Sequence, residues 1–188
     1  MSKGTAQSTG PQTVLRPQLT LDRVFVAAYA KNISTPENGW EAAAIIGTKR
    51  RLAEVDWTVS VSFKTLLGMS ASDVDRDAVE VALAGSRKFG SLSAQATIYL
   101  TPNELGSTGR SFYGEANLSL PVTRTLNLVG ALGVRTRELG PGYTSASAGV
   151  SKTVTQNVRA ELRYFCTNKR ELGAAYRGRV VVALRATF

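Results

Sequence analysis

Tyr176-Arg177-Gly178-Arg179-Val180-Val181-Val182-Ala183-Leu184-Arg185-Ala186-Thr187-Phe188 closes the chain and alternates almost without fault. Tyr176, Gly178, Val180, Val182, Leu184, Ala186 and Phe188 share one parity, and Arg177, Arg179, Val181, Ala183, Arg185 and Thr187 the other. Successive side chains of a strand point to opposite sides, so one face meets an apolar medium and the other carries guanidinium groups. A water-soluble sandwich buries the apolar parity in its core. A barrel in lipid turns that parity outward and encloses the arginines.

The same alternation recurs along most of the chain. Val55, Trp57, Val59, Val61 and Phe63 oppose Asp56, Thr58, Ser60, Ser62 and Lys64; Leu92, Ala94, Ala96, Ile98 and Leu100 oppose Ser93, Gln95, Thr97 and Tyr99. Phe112, Gly114, Ala116, Leu118 and Leu120 oppose Tyr113, Glu115, Asn117 and Ser119, while Val158, Ala160, Leu162 and Tyr164 oppose Arg159, Glu161, Arg163 and Phe165. Leu126 to Arg135 follows suit, with weaker members at Trp40 to Ile46 and Val79 to Ala84. Arg23 to Lys31 and Tyr143 to Lys152 are strand-like but ambiguous in parity. In the stretch from Val14 to Leu21, Pro17 lacks a ladder donor, which predicts an irregular strand or one near an open edge.

Composition narrows the classes. No apolar run approaches the roughly 18–20 residues that a membrane-spanning helix needs, whereas a spanning strand needs only about ten, half of them apolar. A mean hydropathy of -0.06 therefore leaves a barrel open. The net charge of +9 is spread through strands and turns rather than gathered in a tail, so nucleic acid is not expected as a partner. With no histidine and one cysteine, Cys166, His-based triads and multi-cysteine metal sites are absent; no cofactor or metal is expected, nor an enzyme. Cys166 shares the parity of Tyr164, where a small hydrophobe suits lipid or the outer interface.

Connections alternate in length. Short ones are predicted at Lys49-Arg50-Arg51, Lys88-Phe89-Gly90, Val122-Thr123-Arg124 and Thr153-Val154-Thr155. Longer ones are predicted at Asn32 to Gly39, Leu66 to Asp77, Thr101 to Arg110, Glu138 to Gly142 and Thr167 to Ala174. Outer-membrane barrels show this asymmetry, with short periplasmic turns and longer external loops. On the apolar parity, Trp57, Phe89 and Phe188 fall at the short-turn end; Trp40, Phe63, Phe112, Tyr164 and Tyr176 fall toward the long loops. Two aromatic belts are expected from them.

Lys3-Gly4-Thr5-Ala6-Gln7 followed by Gly10-Pro11, the run Arg163-Tyr164-Phe165-Cys166-Thr167-Asn168 and the closing strand Arg179 to Phe188 resemble elements of the TorF-type porins of Gram-negative outer membranes. Lys3, Ala6 and Cys166 depart from the Arg, Ser and acidic residue usual there. The resemblance implies a signal peptide and one further strand ahead of Lys3. The expected fold is thus an all-β, up-and-down antiparallel transmembrane barrel of about eleven strands of an intended twelve, since bacterial single-chain barrels carry even numbers. Residues 1–11 are read as an N-terminal loop or strand remnant and 12–188 as the barrel.

The polar parity would then line a lumen. Lys64, Glu80, Glu115, Arg135, Arg159, Glu161, Arg163, Arg179 and Arg185 are the expected lining, joined by Lys49, Arg137 and Arg177, with further carboxylates at Glu41 and Asp56. A cation-rich wall inside a low-dielectric shell attracts anions, so the function expected is an outer-membrane channel for small anionic solutes, in contact with bilayer lipid and lipopolysaccharide. Two alternatives stand beside it. Cross-lumen pairing would fill a small barrel and make it structural, and a soluble lipocalin-like carrier would turn the aliphatic parity inward.

Overall fold

The computed structural model describes residues 3–7, 10–34, 39–68, 75–106 and 108–188. Parts of the N-terminal segment (1–2 and 8–9) and of three predicted long connections (35–38, 69–74 and 107) lie outside the described residues.

Twelve strands follow in chain order: β1 Val14–Leu15, β2 Gln18–Leu21, β3 Val24–Ile33, β4 Gly39–Leu52, β5 Val55–Leu67, β6 Asp77–Phe89, β7 Leu92–Thr101, β8 Ser111–Pro121, β9 Leu126–Arg137, β10 Tyr143–Thr153, β11 Val158–Thr167 and β12 Arg179–Ala186. From β3 onward each pairs antiparallel with the next. β1 and β2 both pair with β3 and are halves of one irregular strand broken at Arg16-Pro17, so the twelve segments occupy eleven positions. Even there the pairing persists: the Ala28 N–H donates to the Pro17 carbonyl at 3.1 Å. Among the described residues no ladder joins β12 to β1 or β2, leaving a seam in the barrel wall.

The aliphatic parity faces out. Val59, Leu118, Leu162 and Leu184 are 44%, 49%, 48% and 76% exposed, while Glu80 and Tyr113, on the opposite parity, are 5% and 1% exposed. A single sheet that buries one face without a second layer must curl upon itself, and here the enclosed face is the polar one. The register carries this across strands: Ile46 pairs with Val61, Val61 with Val81 and Val81 with Leu100, a continuous apolar row around the outside. A soluble carrier has the opposite arrangement.

The first short turn differs from expectation. Lys49, Arg50 and Arg51 are still strand, and the chain reverses at Ala53-Glu54, both at positive φ (50° and 64°). A two-residue hairpin that follows the twist of its strands requires that geometry, and Ala-Glu gives none of the Asn-Gly signal that usually announces it.

Gly149 marks the tightest inter-strand approach. A Cβ there would stand 2.1 Å from the Leu162 carbonyl oxygen and 2.6 Å from the Arg163 Cα, backbone atoms that cannot rotate away. Gly149→Ala is expected to lower the unfolding free energy by about 1–3 kcal/mol, read from urea titration of the lipid-reconstituted barrel.

Candidate functional site

The interior divides into two ends. Inward positions of β3 to β10 place Lys31, Glu41, Lys64, Glu80, Arg135 and Arg137 toward the long loops. The loop between β7 and β8 adds Glu104, and residues 3–7 lie inside the barrel and add Lys3. Three carboxylates thus meet five cations. Lys31 Nζ lies 2.9 Å from Glu41; Lys3 and Lys64 each approach Glu80 to 2.5 Å; Glu104 takes Lys3 and Arg137 at 3.4 Å and also contacts Arg135. Carboxylates removed from water need such partners, and their remaining lone pairs are used too. The Tyr29 hydroxyl and Gln7 Nε2 donate to Glu41, and the Thr101 hydroxyl donates to Glu80 at 3.3 Å.

A cavity of about 240 Å³ remains at this end. The short-turn end holds a larger one of about 690 Å³, sharing no lining residue with the first. Its charged lining is Arg51, Arg87, Lys88, Arg159 and Arg163 against Glu54, Asp56 and Glu161. Arg163 Nε lies 2.9 Å from Glu161, and the rest of the wall carries short polar groups such as Ser86, Gln95, Asn117 and Ser151.

Of the residues expected to line the lumen, Lys64, Glu80 and Arg135 meet in the loop-end network, while Arg159, Glu161 and Arg163 line the larger cavity. Glu115 belongs to neither; it accepts from the Tyr113 hydroxyl at 2.5 Å and from Asn117 Nδ2 at 2.7 Å. Arg179 is tied to the Ala174 carbonyl, and Arg185 pairs in register with Arg159 but is exposed. Arg177 is exposed as well.

Trp40, Phe63, Phe112 and Tyr164 are exposed on the outer face of their strands toward the long loops, and Trp57, Phe89 and Phe188 are exposed at the short-turn end. Tyr176 corrects the belt expectation. It precedes β12, in a 3-10 turn at Ala174–Tyr176, and its ring meets Tyr143 edge-on at 5.3 Å while Arg137 Nη1 donates to its hydroxyl at 3.2 Å. Strand parity does not extend through a turn, and the phenolic tip finds a donor inside.

Lys3, Lys31, Glu104 and the inward tyrosines were not picked out by sequence. Lys3 and Glu104 lie in non-periodic segments where parity is silent. Lys31 sits at the end of a strand whose small residues left its faces undecided.

No family model matches the chain, and no curated protein matches it. Among solved structures it is similar to a KdgM porin, with a TM-score of 0.67 over 94% of this chain and 92% of that one. The sequence identity is 8%, so the likeness is one of fold: a porin-like β-barrel.

Proposed function

We propose that the chain is an outer-membrane porin of the TorF type, with a narrow passage that prefers small anionic solutes, set in bilayer lipid and lipopolysaccharide. The observation that carries the reading is the inverted partition, aliphatic side chains outside and an ionised network within. Arginine on the lipid face at mid-depth costs roughly 2–4 kcal/mol, so this arrangement suits a bilayer. The preference for anions rests on the excess of cations over carboxylates at both ends of the interior, whose field the surrounding hydrocarbon would focus.

An occluded structural barrel is the second reading, favoured by the dense pairing at the loop end. Planar-bilayer recordings separate the two. In a potassium chloride gradient the reversal potential should carry the sign of chloride preference, and the double substitution Arg159→Glu with Arg163→Glu should lower the chloride-to-potassium permeability ratio at least about twofold. Cation preference in the unaltered protein would overturn the anion reading, and silence from every variant would favour the occluded barrel.

A further inference from the structure

We propose that residues 3–7 form a displaceable strap across the loop end of the interior, and that Lys3 is its latch. This rests on the porin reading but concerns a different element, since nothing in strand parity requires a segment inside the barrel.

Contacts fix the strap at both ends and in the middle. Lys3 Nζ bridges Glu80 on β6 and Glu104 in the β7–β8 loop, at 2.5 Å and 3.4 Å. The Tyr143 hydroxyl on β10 donates to the Lys3 carbonyl at 2.6 Å, and the Ala6 N–H donates to the Ala175 carbonyl at 3.1 Å. Gln7 Nε2 donates to Glu41 on β4 at 3.1 Å, and the Gln7 carbonyl accepts from the Ser34 N–H at 2.9 Å. The strap therefore spans from the β4 wall to the β10 wall and narrows the mouth. Gly4 makes the fit close: at φ +77° it takes a conformation side chains disfavour, and a Cβ there would stand 2.4 Å from the Ser145 Cβ.

These contacts are polar and few, and no apolar anchor other than Ala6 holds the segment. A strap of that kind leaves at modest cost when its latch is removed. It also sets the charge of the mouth, because Lys3 neutralises carboxylates that its departure would expose to a passing solute.

Proton linkage adds a signature. Burial, with Lys64 and Arg135 close by, pushes the Lys3 ammonium down to about 7 despite the Glu80 carboxylate. Glu104 also faces it, as do the Tyr99 ring at 5.5 Å and the Tyr143 hydroxyl. A released Lys3 returns toward 10.5, so release takes up a proton. Acidification from about pH 10 to about pH 7 should thus favour release by up to about tenfold per unit, levelling off below.

The test uses the full chain reconstituted in lipid, in a Cys166→Ser background with Thr5→Cys as reporter, Thr5 being buried in the strap. Maleimide labelling of that thiol should be slow with the strap seated and at least about tenfold faster after Lys3→Ala or Gly4→Val, which remove the latch and the fit independently. Equal labelling rates in all three, with heat-modifiable mobility retained, would overturn the strap. Conductance is measured on the same samples. A rise in the released variants supports the strap; absence of current throughout, alongside the labelling difference, would count against the pore reading alone.

Discussion

Val61→Arg is expected to lower the unfolding free energy of the bilayer-folded chain by about 2–4 kcal/mol, measured by denaturant titration of protein folded into phospholipid vesicles. Val61 lies midway along β5, faces outward and is flanked in register by Ile46 and Val81. A guanidinium there has no carboxylate within its row and must draw water or headgroups toward the hydrocarbon centre. Val154→Arg is the control, because Val154 is exposed beside the short turn after β10, where the same change costs about 0–1 kcal/mol. Similar costs at both positions would mean that the outer face of β5 does not meet hydrocarbon.

The wall of the barrel was legible because its signal has period 2 and repeats. Val59, Val61 and Phe63 on β5, or Leu118 and Leu120 on β8, could not share a face with Lys64 or Glu115 in any strand, so only the direction of the faces remained open. Signals failed where side chains are small or turns are unusual. On β10, Ser145, Ser147 and Ser151 point inward, but Ser, Ala and Gly differ too little in hydropathy to announce it. On β3 a large apolar residue points the wrong way for a simple parity rule. Phe25 faces the interior, where it covers Gly47 and lies under Lys49 Nζ at 5.0 Å.

The candidate site was legible only in part, and for a related reason. Parity finds inward residues on strands, which is how Lys64, Glu80, Arg135 and Arg163 were reached. It does not say which of them meet, because contacts across the interior depend on the height of each residue in the staggered wall. Nor can it find residues that come from segments without a period. Lys3, Glu104 and Tyr176 complete the loop-end network from a strap, a loop and a 3-10 turn.

The second large effect tests whether that network is dry. Glu80→Gln removes the carboxylate shared by Lys3 and Lys64, and the expected loss is about 3 kcal/mol, the lower end of the range for breaking a buried pair. The lower end applies because Lys3 keeps Glu104 and the neighbouring cavity of about 240 Å³ has room for water near the stranded Lys64. Removing Lys64 as well should reverse much of the loss: Glu80→Gln with Lys64→Met leaves no orphaned cation on β5. The double variant should therefore be more stable than Glu80→Gln alone, with a coupling energy of about 1–3 kcal/mol. Both are read from denaturant titrations in lipid. A cost below about 1 kcal/mol for Glu80→Gln, with no coupling to Lys64, is what exposed pairs give. That result would place bulk water around the network, since only well-solvated ammonium groups lose a carboxylate so cheaply. The loop end would then be wide enough to conduct with the strap in place, and Lys3 would be a lining residue rather than a latch.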